Sequence, residues 1–280
     1  MLVDRINFFC QEDNIKKTCF LQDYKYVEKI KASNNNILFI ASSKKDGRKV
    51  ITKILSNKET QRSNINSRLH LLFNMNSNRI IRLIDIYETP SSFLLVYPYH
   101  ENGDLFDFVF HSPVTVHENR ALRYCLSMLK SLRDLHNHKY IHLDVKMENF
   151  LLEENDKLIL IDLDCCHKLG EVLSQTVGTP HYVAPEIGLE NYFTETSDVW
   201  SVGICLYTMI TFEFPGRLLF NRDHIDYQSV IHNISKDIKN ISQDCLSIIR
   251  RMLTLDPKKR ITINESIEMI ENYLDLKSKD

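Results

Sequence analysis

The chain has 280 residues, 43% of them hydrophobic, and its 35 Lys and Arg against 37 Asp and Glu leave a formal charge of −2. That is apolar material enough for a large core, built as one large domain or as two small lobes. Seven cysteines without regular spacing argue against a disulfide framework, Met1-Leu2-Val3-Asp4-Arg5 is charged too early for a secretory signal, and no apolar run approaches the ~20 residues of a membrane span, so a soluble intracellular protein is expected.

Residues 1–22 are predicted to form an amphipathic helical lead-in with Leu2, Ile6, Phe9 and Cys10 on one face, packing on its own domain or docking a partner. From Tyr24 the pattern changes to strands. Tyr26–Ile30 and Ile37–Ala41 bracket the segment Lys31-Ala32-Ser33-Asn34-Asn35-Asn36, and Asp46-Gly47 marks a hairpin into Val50–Leu55. Ile65, Leu69, Leu72 and Met75 recur at helical spacing, and strands are expected again at Ile80–Tyr87 and Phe93–Tyr97. A helical half begins near Asn102-Gly103-Asp104-Leu105-Phe106-Asp107, with Asp104 suited to a helix start. Leu122, Cys125, Leu126, Leu129 and Leu132 place a buried helix over 118–136. Phe150-Leu151-Leu152 and Leu158-Ile159-Leu160-Ile161 flank the acidic turn Glu153–Asp156, as two short strands joined by a tight turn would. An apolar helix follows Asp198 through Ile204, Leu206 and Met209, and helices over Leu246–Leu253 and Thr262–Leu274 close the chain, the last opening on a Thr262/Glu265 capping box.

The chemistry concentrates in His142-Leu143-Asp144-Val145-Lys146-Met147-Glu148-Asn149 and, thirteen residues on, Asp162-Leu163-Asp164. The hairpin would return Asp162 to the neighbourhood of Asn149, offering two hard oxygen donors for Mg²⁺. Asp144 would accept a hydroxyl proton and Lys146 would neutralise a phosphate, the layout that phosphoryl transfer requires.

These stretches, with Gly178-Thr179-Pro180-His181-Tyr182-Val183-Ala184-Pro185-Glu186, Ser197-Asp198-Val199-Trp200-Ser201-Val202-Gly203 and Leu255-Asp256-Pro257-Lys258-Lys259-Arg260, resemble in content and order the motifs of eukaryotic-type protein kinases. The resemblance implies an α+β, bilobal fold: a lead-in over 1–22, a small β-rich lobe over 23–97, a hinge over 98–103 and a larger helical lobe over 104–280. It implies ATP and Mg²⁺ (or Mn²⁺) as cofactors, with Asp144 and Lys146 catalytic and Asn149 and Asp162 binding the metal. Lys53, in Val50-Ile51-Thr52-Lys53, would hold the α- and β-phosphates; Leu38 and the Pro98, Tyr99 and His100 segment would bind the nucleotide, with Tyr97 as gatekeeper and Asp104 near ribose or a substrate arginine. Glu148 and Thr179 would face the protein substrate, Thr179 favouring Ser or Thr as acceptor. Glu186, Arg260 and Asp198 take structural roles, the first two as an ion pair and the third beneath the catalytic loop.

Four features depart from the family pattern. Residues 31–36 contain no glycine, which would weaken nucleotide binding or leave that loop mobile. The glutamate expected to pair with Lys53 is missing: Arg68 falls in its register, and Glu59 is the one acid between Ile54 and Asn78. Leu143 replaces an arginine that would receive an activation-loop phosphate, so activity should not depend on Ser174 or Thr176. Asp164 stands where the magnesium loop has glycine, which stiffens it.

The expected function is an ATP-dependent Ser/Thr protein kinase; the alternative is a pseudokinase acting as a nucleotide- or protein-binding scaffold. Residues 1–103 hold 16 basic and 10 acidic residues and residues 104–280 hold 19 and 27, so the acidic second half favours basic protein substrates over nucleic acid. The stretches N-G-D-L-F-D-F and D-V-K-M-E-N are similar to those of baculoviral protein kinases. That resemblance implies an arginine-rich DNA-packing protein as substrate and the nucleus or cytoplasm of a host cell as location; calmodulin-dependent kinases are the alternative. No membrane or direct nucleic-acid partner is expected, and homodimerisation would use the N-terminal segment.

Overall fold

The computed structural model describes residues 15–16, 19–32, 36–56, 69, 71–89, 92–174, 176–215, 227 and 241–277. The chain forms two compact units, residues 1–101 and 102–280.

The first unit is a six-stranded sheet. Its strands are β1 (Ile15–Lys16), β2 (Tyr24–Ala32), β3 (Asn36–Ser43), β4 (Lys49–Ser56), β5 (Asp85–Glu88) and β6 (Ser92–Pro98), in the order β1-β5-β6-β4-β3-β2. All neighbours are antiparallel except β1 and β5, which run parallel with Ile15 opposite Ile86. The predicted strands at 26–30, 37–41, 50–55 and 93–97 are present and extend further, whereas the strand expected over Ile80–Tyr87 contracts to Asp85–Glu88. Ile80 and Ile81 are buried side by side, which breaks the alternation a strand requires.

The lead-in also differs from expectation. Ile15–Lys16 is extended and closes the β5 edge, and the short helix α1 spans Phe20–Asp23. A free sheet edge with unpaired backbone groups favours strand pairing over another helical turn. Leu2, Ile6, Phe9 and Cys10 lie outside the described residues, as do Ile65, Glu59, Arg68 and Ser33–Asn35.

Aromatic side chains hold the sheet to α1. Phe20 stacks on Tyr24 with centroids 5.0 Å apart and meets Phe39 and Tyr87 edge-on, within a buried cluster that includes Ala41, Val50 and Val96. Each such ring contributes about 1.5–3 kcal/mol through burial. Their polar ends are satisfied: the Tyr24 hydroxyl donates to Asp85 at 2.6 Å and that of Tyr87 donates to Asp23.

The second unit is mainly helical: α2 (Leu105–His111), α3 (Glu118–Asn137), α4 (Pro185–Glu190), α5 (Glu195–Thr211), α6 (Gln243–Met252) and α7 (Ile263–Lys277). On α3 the buried residues include Leu122, Cys125, Leu129, Leu132 and His136, one face at helical spacing. By contrast α5 is buried from Ser197 through Met209, the pattern of a helix at the centre of a core. Asp104 caps α2 by accepting from the Asp107 N–H at 2.9 Å. The Thr262/Glu265 box is formed, with Glu265 accepting from the Thr262 N–H at 2.9 Å and its own N–H donating to the Thr262 hydroxyl at 3.3 Å. Among the described residues the unit also holds two short ribbons: β7 (Tyr140–Ile141) with β10 (His167–Lys168), and β8 (Phe150–Leu152) with β9 (Leu158–Leu160).

Candidate active site

The predicted hairpin forms, with Phe150 opposite Leu160 and Leu152 opposite Leu158. Its turn places Asn155 and Asp156 in the left-handed region, and Asp156 is pinned there by Arg120, Arg123 and the Tyr124 hydroxyl. At the other end the Ile161 N–H donates to the Asn149 carbonyl at 2.9 Å. Asp162 therefore follows directly on a backbone bond to Asn149, which is the convergence the sequence implied.

Asp144 is the hub of the side chains. Its Oδ1 accepts from the Thr179 hydroxyl at 2.6 Å and its Oδ2 from Lys146 Nζ at 2.8 Å. Lys146 also donates to Thr179 at 2.8 Å, closing a triangle. Asn149 gives its amide nitrogen to the Asp144 carbonyl at 2.7 Å, so the donor it offers a hard cation is Oδ1. Asp162 sits at φ 58, ψ 74, a left-handed conformation costly for a residue with a Cβ. Burial, and then the charges of Asp144, Asp162 and Asp164, push the Cys165 thiol up to about 11.

The loop is held from below. Buried Asp198 accepts from the His142 N–H at 2.9 Å, the Leu143 N–H at 3.0 Å and His136 Nε2 at 2.8 Å. Burial works to raise the Asp198 pKa, but the His136 bond and the neighbouring imidazoles outweigh it and hold the carboxyl below its usual range. These bonds fix Leu143 at φ 64. Opposite it, Gly178 has φ +95, and a Cβ there would meet the Leu143 carbonyl oxygen at 2.3 Å; only glycine allows the segment carrying Thr179 to approach. His142 spans the two halves of the site: its Nδ1 accepts from the Asp144 N–H at 3.2 Å, which leaves Nε2 protonated, 3.5 Å from the Ile161 carbonyl.

Glu186 and Arg260 form a buried bidentate pair at 2.7 and 2.9 Å, with Ser197 donating to the same carboxylate at 2.6 Å. Glu148 Oε2 is buried without a hydrogen bond, as is the Tyr182 hydroxyl. The two are electrostatic neighbours that stop short of normal bonding geometry. Burial raises the Glu148 pKa; Lys146 opposes the rise, and Asp104 and Asp144 add to it. Burial likewise raises Asp104, against its helix-capping bond.

The remaining predicted residues lie in the first unit. Lys53 is buried on β4, opposite Leu38 of β3 and Leu95 of β6. Tyr97 and Pro98 end β6, Tyr99 and His100 follow it, and Lys49 Nζ lies 5.4 Å from the Tyr99 ring centroid. The residues that reading the sequence passed over are His136, His142, Ser197 and Tyr182. His136 had a signal, since it falls four positions after Leu132 on the buried face of α3.

For magnesium, one carboxylate and one amide oxygen suit an ion that takes few protein ligands and completes its octahedron with water and phosphate oxygens. The Cys165-Cys166-His167 run offers no competing site: among the described residues no group of three or more His, Cys, Asp or Glu is placed to hold a metal. Also among the described residues, no helix is long and apolar enough to cross a membrane.

A family profile described as protein kinase domain matches residues 24–270. Serine/threonine-protein kinase SIK1 of Mus musculus is 34% identical over 223 residues, covering 76% of this chain and 28% of its own length. The SNF1-like protein kinase ssp2 of Schizosaccharomyces pombe is 31% identical over 241 residues, 81% of this chain and 40% of its own. Maternal embryonic leucine zipper kinase of Danio rerio is 27% identical over 257 residues, 89% and 37%. The chain thus spans 28% to 40% of the length of these relatives. With a profile match across most of its length, and a β-sheet unit followed by a helical unit, the chain belongs to the protein kinase family.

Proposed function

We propose that the protein is an active serine/threonine protein kinase that uses ATP and Mg²⁺, or Mn²⁺, to phosphorylate arginine-rich proteins. The observation that carries the reading is the Asp144–Lys146–Thr179 triangle with Asn149 clamped to it. A binding scaffold has no chemical use for that set. The scaffold reading draws on residues 31–36 without glycine and on Arg68 standing in the register of the family's helix glutamate.

In the reaction the acceptor hydroxyl oxygen attacks the γ-phosphorus, the bond to the β-phosphate oxygen breaks, and ADP leaves. Asp144 orients the hydroxyl and accepts its proton. Lys146, tethered between Asp144 and Thr179, neutralises charge on the transferred group, and Thr179 sets Asp144 for a Ser or Thr acceptor. Asn149 Oδ1 and Asp162 would hold Mg²⁺, which when bound neutralises the β- and γ-phosphate oxygens. Lys53 would steady the α- and β-phosphates, and Leu38 with the backbone of Pro98, Tyr99 and His100 would hold the base. Glu148, with an unsatisfied buried oxygen, and Asp104 would receive arginines of the substrate.

The test is transfer of labelled phosphate from ATP with Mg²⁺ to an arginine-rich protein, beside Asp144→Asn. Transfer should occur and fall about 100-fold or more in the variant. No label on any protein, with ATP still raising the melting temperature, would favour the scaffold instead. The narrower reading is a baculoviral enzyme that phosphorylates an arginine-rich DNA-packing protein in the host nucleus or cytoplasm, with no membrane or direct nucleic-acid partner. It draws on the N-G-D-L-F-D-F and D-V-K-M-E-N stretches, and equal rates on an arginine-free substrate would count against it. Dimerisation through the N-terminal segment over 1–22, of which residues 1–14 lie outside the described residues, is tested by sedimentation of the full chain beside one lacking that segment.

A further inference from the structure

The second unit carries a cavity of about 580 Å³ between α4 and the 255–258 segment, lined in part by Leu189, Glu190, Tyr192, Tyr227, Asp256 and Pro257. It shares no side chain with the catalytic loop. Three features make it more than a surface dimple. Its rim is apolar, with Leu189 68% exposed and Tyr192 37% exposed, an arrangement that a folded chain otherwise tends to cover.

Next, Tyr227 is buried and its hydroxyl has no hydrogen-bond partner among the described residues, although a buried unpaired hydroxyl costs on the order of 1–3 kcal/mol. Its ring rests edge-on against Trp200 at 5.8 Å, and its oxygen sits over Gly188, where a Cβ would come within 2.5 Å of it. Glycine at 188 is thus what lets the hydroxyl reach this position. The group is a donor in want of an acceptor.

Lastly, the surroundings are acidic. Burial, then Glu186 and Glu190, with Asp256 adding and Arg260 opposing, raise the Tyr192 pKa. Glu186 is already spent on Arg260 and Ser197, so Glu190 and Asp256 are the carboxylates left to meet a ligand. Among the described residues the Asp256 carboxylate holds the Lys258 N–H and, at 3.7 Å, an exposed Lys259. Lys258 is the single cation among the described lining residues.

An apolar rim, a buried donor and two available carboxylates match a peptide that brings an apolar side chain, a backbone carbonyl and a neighbouring cation. We propose that this pocket docks a short segment of the protein substrate, a Leu, Ile or Phe flanked by Arg or Lys, separate from the residues around the phosphorylated hydroxyl. The apolar side chain enters beside Leu189 and Tyr192, its carbonyl accepts from the Tyr227 hydroxyl, and the cation faces Glu190 and Asp256. The proposal deepens the kinase reading and rests on it for the identity of the partner, but docking itself needs no ATP.

The experiment uses the full chain and a library of fluorescein-labelled hexapeptides, each with one Leu, Ile or Phe and two Arg or Lys in every order, and none with Ser, Thr or Tyr. Fluorescence polarisation without ATP should find saturable binders that weaken tenfold or more in Leu189→Asp and several-fold in Tyr227→Phe. Joined by a flexible linker to an acceptor peptide, a binder should lower its KM fivefold or more in the wild type. That gain should vanish in Leu189→Asp, with kcat and KM for the unlinked acceptor unchanged. A library in which no peptide binds the wild type better than it binds Leu189→Asp overturns the proposal. Absence of phosphorylation on any acceptor, with selective binding intact, sinks the kinase reading and leaves the docking site standing.

Discussion

Asp198 supplies the sharpest test of how the catalytic loop is held. Its two oxygens divide three donors: Oδ2 takes the His142 N–H and His136 Nε2, and Oδ1 takes the Leu143 N–H. Asp198→Asn keeps the shape but offers one oxygen. Whichever way the amide turns, an NH₂ group faces at least one N–H, so one bond to a charged acceptor, worth about 1.5–3 kcal/mol, is lost. The survivors fall from charge-assisted to neutral strength, and the total comes to about 3–5 kcal/mol. With a slope of about 1–3 kcal/mol/M the urea midpoint should drop by about 1 M or more. Freed of its bond, Leu143 should leave φ 64 for an ordinary conformation and take Asp144 with it, so kcat should fall tenfold or more while KM for ATP moves little. The acid limb gives a second readout. The folded-state pKa of Asp198 is depressed, so its contribution is complete above the unfolded carboxylate range and is lost as the pH falls through the folded value. The wild type should therefore weaken below about pH 4 more steeply than the variant. An Asn variant with an unchanged urea midpoint and kcat within threefold of wild type would refute the reasoning.

Arg260→Met should cost about 3–5 kcal/mol by chemical denaturation, because it strands the Glu186 carboxylate 2% exposed and uncompensated, and adding Glu186→Met should recover part of the loss. Gly178→Ala should reduce kcat tenfold or more through its clash with the Leu143 carbonyl, with a smaller effect on melting; an active Ala variant would mean that the segment at 178 shifts freely. Replacing Ser174 and Thr176 together by Ala should leave activity within about threefold. Leu143, 4% exposed, offers a phosphate nothing to bind, and a tenfold loss would contradict this.

Much of the second unit could be read from the sequence because its signals are local. Leu122 to Leu132 mark α3 by spacing, Thr262 and Glu265 mark the start of α7, and the apolar runs around Glu153–Asp156 mark a hairpin whose return brings Asp162 to Asn149. The misses are of two kinds. Contacts made by single polar side chains across long separations, such as His136 with Asp198 or Ser197 with Glu186, leave no periodic trace, since each is one residue on an otherwise apolar face. Edge pairing is the other: Ile15–Lys16 is extended because β5 offers an open edge, a fact that belongs to the partner strand and not to residues 1–22. The expected strand over Ile80–Tyr87 failed for a related reason, since adjacent apolar residues there bury together without alternating.

Three left-handed positions surround the reacting groups: Leu143 before Asp144, Asp162 itself, and Gly178 before Thr179. Gly178 adopts its angle at no steric cost, but Leu143 and Asp162 each carry about 1–2 kcal/mol of backbone strain. Such strain persists only where surrounding bonds over-determine it, and for Leu143 those bonds come from Asp198 on α5, a helix buried along its length. With Leu143 buried, that support holds the loop from within the helical unit. The arrangement of Asp144, Lys146, Asn149 and Thr179 is accordingly held by bonds within the helical unit, which is the physical ground for expecting the Ser174 and Thr176 variant to stay active.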